Sequence, residues 1–315
     1  MDYFKNMDNF ELNRFHSVIF FILTVFLSGS GLFGDYVLPL EKKIPSIFSV
    51  FCFFLIATIG VSHGALDNLK GAQLLKKFKI KNILLFYLSY LVIASFVVLF
   101  WIIFPTFTII MFLVFASYHF GKEDNIQLYV FEKMPNIEFK SFFLFLKGSI
   151  VISAPLFMHP VETFQIFKVL NVELTISQNL VGIFIILSLV SHYFLNEFWG
   201  QATLDTISIL FLNLIFHPLI AFTFYFCFLH SIRHSISLMH ELNKKDLKKG
   251  FYLFLKKAAP LTIITALLFI LGIFFLNNYY TLQASILKVI FIGLASLTFP
   301  HILLEYLLEK NEKRT

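Results

Sequence analysis

Residues 222–239 read FTFYFCFLHSIRHSISLM, and the rest of the chain is interpreted around this stretch. Its first half is apolar and aromatic. Its second half carries His230 and His234 four residues apart, with Arg233 between them. On a helix those two imidazoles share one face, one turn above the other. Two imidazoles and a guanidinium at the end of a lipid-compatible segment are costly to bury, and groups of that kind mark function. What matters next is which other side chains reach the same face.

Composition supplies the setting. The 315 residues are 58% hydrophobic and only 14% charged, with a mean hydropathy of +0.81, whereas a soluble domain carries about 25% charged residues. Several apolar runs reach the roughly 20 residues that cross the hydrocarbon of a bilayer. The expected fold is all-α: a polytopic transmembrane helical bundle, one integral membrane domain over residues 1–315, placed in the cell inner membrane with lipid around it. The 44 Phe suit lipid contact and large apolar cavities. Cys52 and Cys227 fall inside apolar runs at no metal-type spacing and read as small buried hydrophobes. The net charge of +6 reads as topogenic lysine in loops. No nucleic-acid partner is expected, because the lysines have no interleaved aromatic pattern.

The apolar runs divide into about ten spans, at 17–33, 46–64, 82–104, 106–121, 141–158, 177–198, 202–216, 219–239, 259–276 and 284–308. Acidic Asp2, Asp8 and Glu11 before the first run argue for a retained span over a cleaved signal peptide. With the N-terminus inside, the cytoplasmic segments collect Lys70 to Lys81, Lys122, Lys133, Lys140, the lysines at 244–257 and the basic C-terminus. The opposite side keeps only Lys42, Lys43 and Lys168. That asymmetry predicts N-in/C-in.

Topology then sorts the histidines. His63 closes the second span, His119 the fourth, His230 and His234 the eighth, and His301 sits in the inner half of the tenth. These five share a depth toward the cytoplasmic side, while His159 and His217 fall at the outer ends. Burying several imidazoles together is costly unless their lone pairs are used, and a metal ion uses them. Neutral imidazole suits iron, copper or zinc. Metal-bound histidines normally donate their second N–H to a carboxylate or carbonyl. At helical spacing the carboxylates on offer are Asp67 after His63, Glu123 after His119 and Glu305 after His301. Tyr118 is a further polar group beside His119. Two other readings remain: a di-iron membrane hydroxylase or desaturase, and a bis-histidine haem cytochrome. The first is disfavoured by the single HxxxH and the lack of any HxxHH.

Four blocks, HGALDNL at 63–69, ASYHFGKED at 116–124, YFCFLHSIRHS at 225–235 and FPHILLEY at 299–306, occur in order and together resemble the Brp/Blh family of bacterial membrane β-carotene 15,15′-dioxygenases. The likeness covers about residues 60–306. It implies an enzyme that splits the central double bond of β-carotene with O2 to give two retinals, with hand-off of retinal to a rhodopsin; the alternative in this light is a non-enzymatic carotenoid-binding membrane protein. It also implies a non-haem Fe(2+) held by His63, His119, His230 and His234, with Asp67, Tyr118, Glu123, Arg233, His301 and Glu305 around the metal or in the pocket. A polyene offers no hydrogen bonds, so a tunnel would hold it by shape. Phe53, Phe54, Phe115, Phe226 and Phe228 stand near the histidines in sequence as lining residues.

Overall fold

The structure is a computed structural model. It describes residues 9–29, 45–125, 137–194 and 200–312, without the side chains at 9, 63, 137, 138, 192–194 and 312. Among the described residues it is entirely helical. In chain order the helices are α1 (Asn9–Gly29), α2 (Pro45–Lys77), α3 (Leu84–Ile103), α4 (Pro105–Asn125), α5 (Ile137–Met158), the short α6 (Pro160–Val169), α7 (Gln178–Phe194), α8 (Gln201–Ile215), α9 (Pro218–Leu242), α10 (Leu247–Leu276) and α11 (Leu282–Glu312).

Each expected span falls on a helix, with residues 30–33 and 195–198 outside the described residues; among the described residues seven helices are long and apolar enough by themselves to cross a membrane: α1, α2, α3, α5, α9, α10 and α11. α4 has the length, with 21 residues, yet its last turns carry His119, Lys122, Glu123 and Asp124. α7 and α8 are shorter apolar helices. Two boundaries differ from the apolar runs for a common reason. α10 begins at Leu247, so Lys248, Lys249, Lys256 and Lys257 lie on helix and not in a loop, and α2 runs on through Lys70, Lys76 and Lys77. Lysine has good helix propensity, and its long stem lets the ammonium reach water from a helical position. Asp246 caps α10 by accepting from the Lys248 and Lys249 amides, at 3.0 and 3.2 Å. α6 was not anticipated. Pro160 sits at its first position, where a missing N–H costs nothing.

The layering follows the solvent. α9 is the central helix, with 72% of its most apolar window buried, whereas the corresponding windows of α3 and α10 are 6% and 0% buried despite being more apolar. Helices that are apolar all round and bare on the outside are built for contact with lipid. α9 touches α1, α2, α4, α8 and α10; α4 packs on α5, α5 on α7, α1 on α8 and α3 on α11.

Two irregularities bring α2 and α9 together. α2 contains a π turn at Ile56–Gly60 and a 3₁₀ stretch at Val61–Leu66; α9 contains a π segment at Tyr225–Ser231. Such π turns concentrate at functional sites. The two segments face each other, and the Ser231 hydroxyl donates to the Gly60 carbonyl at 3.0 Å. A Cβ on Gly60 would come within 2.6 Å of the Phe226 ring, so glycine is what permits this approach. Cys52 and Cys227 are both buried in the same core.

The α4–α5 contact is closer still. A Cβ on Gly148 would lie 1.8 Å from the Ser117 carbonyl oxygen, and one on Gly121 would lie 1.7 Å from that of Leu144. Neither neighbour is a side chain that can swing aside. Gly148→Ala is therefore expected to cost about 2 kcal/mol or more by forcing the helices apart. A thermal shift of the detergent-purified chain should show a midpoint lowered by several degrees; an unchanged midpoint would rule out this packing.

Candidate metal centre

Four described imidazoles meet where α4, α9 and α11 converge. His119 comes from α4, His230 and His234 from α9, and His301 from α11. All four are buried. The His119 ring centroid lies 5.3 Å from that of His230 and 5.1 Å from that of His301; His234 and His301 are 6.2 Å apart. His63 sits on the 3₁₀ stretch of α2, one turn before Asp67. Its side chain lies outside the described residues.

Three of the four imidazoles have a carboxylate on Nδ1. His230 donates to Asp124 at 2.9 Å, His234 to Glu123 at 3.0 Å and His301 to Asp67 at 2.8 Å. A proton held on Nδ1 by an acceptor leaves the lone pair on Nε2, which is the tautomer a metal requires. The fourth, His119, has its Nδ1 3.7 Å from Glu305, which also stands 3.5 Å from His301 Nε2. The ligand-type atoms of His119, His301 and Glu305 lie within 4.8 Å of one another, as do those of Glu123, His234 and Glu305. By donor type and spacing these residues fit a divalent transition metal.

The carboxylates are themselves held. Tyr90 on α3 donates to Asp67 at 3.0 Å, and Tyr225 donates to Asp124 at 2.6 Å. Arg233 is as buried as the imidazoles and does a different job. Its guanidinium is buried, with a bidentate pair to Asp205 at 2.6 and 2.9 Å. It also donates to the Ser17 hydroxyl at 2.6 Å and to the Asp124 backbone carbonyl at 3.1 Å. An always-charged planar fork suits such a buried pair, because it satisfies several acceptors at once. The same network reaches both the first helix and the residue that orients His230.

Of the helical-spacing pairs drawn from sequence, Glu305 with His301 is kept, Glu123 turns to another helix, and Asp67 with His63 falls on a side chain outside the described residues. Asp67 faces His301, Glu123 faces His234, and Glu305 is shared between His119 and His301. Asp124, not singled out from the sequence, orients His230. The signal for it was present: adjacent residues on a helix project about 100° apart, so the Glu123-Asp124 pair can serve the two imidazoles of α9. His301 is as deeply built into the cluster as the others, beyond the pocket role that the sequence gave it. Tyr118 is half-buried and takes no part in the hydrogen bonds described here. Of the aromatic lining residues, Phe226 stacks on His230 at 5.8 Å and Phe115 packs edge-on to Phe299 at 5.3 Å. Phe53 and Phe228 are half-buried against the core, and Phe54 is 61% exposed on the outside of α2.

One side of the cluster is polar. A cavity of about 400 Å³ reaches His234, Glu123 and Glu305 and is lined by Lys70, Lys122 and Glu309. Lys70 lies 3.3 Å from Glu305, and Lys122 is paired with Glu309 and stands 3.9 Å from Glu305. The other side is aromatic, where Phe120 and Phe226 flank the His230 ring.

Membrane-type helices enclosing a buried histidine–carboxylate cluster of metal-site chemistry define the class of protein. Comparison with known sequences makes it specific. The sequence model described as β-carotene 15,15′-dioxygenase matches residues 54–309. The chain belongs to the β-carotene 15,15′-dioxygenase family. It is also similar to the β-carotene 15,15′-dioxygenase of the uncultured marine bacterium 66A03, at 29% identity over 269 residues, covering 82% of this chain and 94% of that protein. No solved structure matches it.

If the carboxylates act by orienting the imidazoles, Asp124→Asn, Glu123→Gln and Asp67→Asn should each weaken metal retention about 10- to 100-fold. Titration of the purified variants against a competing chelator measures this. Retention equal to that of the unaltered chain would remove the carboxylate from that role.

Proposed function

We propose that this chain cleaves the central 15,15′ double bond of β-carotene with O2, at one Fe(2+) held by buried histidines. The observation that carries the reading is the cluster of four imidazoles from three helices, three of them fixed on Nδ1 by carboxylates. Family membership supplies the substrate. The ligands we propose are His63, His119, His230 and His234, as the sequence blocks imply, with His301 added on the strength of its Asp67 contact. Bound Fe(2+) supplies the redox-active centre that lets O2 react with an alkene. The overall reaction balances without a further reductant: the C=C bond is broken, and each carbon leaves as an aldehyde bearing one of the two oxygen atoms.

The protein's own residues do the remaining work. The carboxylates hold the N–H of His230, His234 and His301 on Nδ1 and so keep the Nε2 lone pair of each for the metal. Phe120 and Phe226 exclude water from the side that a hydrocarbon would use. Lipid-facing helices let an apolar polyene approach within the bilayer, so it never has to cross water. Holding the reacting bond over the centre by shape alone is worth a large part of the rate, since a 1 Å misplacement costs about 100-fold.

We further read the chain as one integral membrane domain of the inner membrane, N-in/C-in. Support comes from the lysine asymmetry and from the helix ends. Lys70, Lys122 and the His/Glu cluster gather at one end of the bundle, while His159 and His217 share a cavity with the opposite ends of α2, α9 and α11. A C-terminal fluorescent-protein fusion should be bright, and a C-terminal alkaline phosphatase fusion inactive; the reverse pattern overturns the orientation.

A two-metal site is a second reading, favoured by Glu305 belonging to both ligand-type groups. Against it, Lys70 and Lys122 already compensate the charge of Glu305, and two ammoniums compete with two cations for one carboxylate.

In cells that make β-carotene, the intact chain should bleach the orange colour and produce retinal. His119→Ala, His230→Ala and His234→Ala should each lower retinal by more than about 100-fold, the scale of losing a group that acts on the transition state, while still accumulating in the membrane. The purified protein should hold close to one iron per chain. Undiminished cleavage by any variant removes that histidine from the metal, and two irons per chain would favour the second reading.

A further inference from the structure

A cavity of about 640 Å³ lies away from the metal centre. It is set among the starts of α2, α9 and α11, the same three helices whose later turns carry His63, His230, His234 and His301. Its walls are apolar where Phe48, Ile166, Ile220 and Leu287 contribute, and its rim is polar, with Glu162 and His217. Its size is that of a small-molecule pocket.

A row of parallel rings runs along α9 to the centre. Phe222 stacks on Phe226 at 5.4 Å with 10° between planes, and Phe226 stacks on His230 at 5.8 Å with 16°. Phe291 of α11 lies on Phe222 at 5.9 Å. The three α9 rings recur every four residues and so form one stripe along the helix. Phe222 and Phe291 are half-buried, leaving ring surface open to a neighbour. The stripe begins where Phe291, four residues after the cavity residue Leu287, meets Phe222, and it ends at a site imidazole. Ten residues separate Ile220 from His230, about 15 Å of helix rise. That is the scale of half of a rigid polyene carrying a ring at each end.

Resting on the reading of the substrate as a centrally cleaved polyene, we propose that this cavity is the seat of its far terminal ring. The Phe222–Phe226 stripe is the wall against which that half of the chain lies. An apolar polyene gives the protein no polar group by which to find its middle. A closed end at a fixed distance does that mechanically: when the bulky ring stops against Ile220 and Leu287, the central bond stands at the metal. Cleavage position is then set by the cavity's depth. Flat ring faces suit a flat conjugated chain, because stacking favours surfaces that can lie parallel.

The test fills the pocket. Ile220→Trp and Leu287→Trp are compared with the unaltered full-length chain on β-carotene and on a truncated polyene that bears a ring at one end only. With the pocket filled, kcat/KM for β-carotene should fall about tenfold or more, by the loss of a fitted apolar group and of register. The truncated substrate, which can place its ringless end there, should fall much less. Off-centre aldehydes should appear among the β-carotene products. A second measurement does not need turnover: the metal-free chain purified from carotenoid-producing cells should retain less β-carotene in both variants, read by visible absorbance. Equal loss on both substrates, or unchanged retention and product pattern, overturns the proposal. If the unaltered chain retains β-carotene but never yields retinal with iron, the cleavage reading fails, while the pocket is still judged by retention.

Discussion

The structure depends on one constraint: imidazoles buried together need an acceptor for the N–H they do not share with a metal. Each of His230, His234 and His301 has one, and each acceptor is a carboxylate from a different helix segment. A buried carboxylate is itself costly and would be lost by protonation if it stood alone. Here each stands against a histidine, and two are steadied further by tyrosine hydroxyls. The cluster is therefore a mutual arrangement in which no member is tolerable without the next. A divalent ion at its middle would complete the charge balance of three or four carboxylates.

That arrangement dictates how the helices pack. Asp67 on α2 must reach α11, and Glu123 and Asp124 on α4 must reach α9. The helices come close because glycines stand at the crossings: Gly60 under Phe226, and Gly121 and Gly148 between α4 and α5. The π segments of α2 and α9 shift the turns nearby, so that Ser231 meets Gly60 at the level of the site. Packing and chemistry meet in the same segments: Gly60, Gly121, Phe226 and Ser231 sit in or directly beside the sequence blocks, and Gly148 meets them from α5.

Much of this was legible in the sequence. Long apolar runs fix the helices because a bilayer offers backbone groups no other partner. The common depth of His63, His119, His230, His234 and His301 follows from counting spans. Pairing across helices was not legible. Spacing along one helix put Glu305 with His301, which the structure keeps, and Glu123 with His119, whereas Glu123 pairs across to His234, and a sequence holds no distance between helices. Asp124 was passed over for that reason: its partner is 106 residues away. Helix ends were misjudged where Lys248 to Lys257 looked like loop, because charge marks the edge of the hydrocarbon and not the end of a helix. The outer cavity and the ring stripe arise only once α2, α9 and α11 are placed side by side.

The first helix carries a consequence of its own. The family match begins at residue 54, so α1 falls outside it. Yet Ser17 accepts from Arg233, and His16 donates to the Phe228 carbonyl at 2.8 Å. Arg233 in turn grips the backbone of Asp124. α1 is thus a brace driven in beside the catalytic helix, tightening a part of the molecule that shared ancestry alone would describe as complete without it. Two chains alike in their histidine blocks and unlike in this leading segment would differ in how firmly the same ion is gripped.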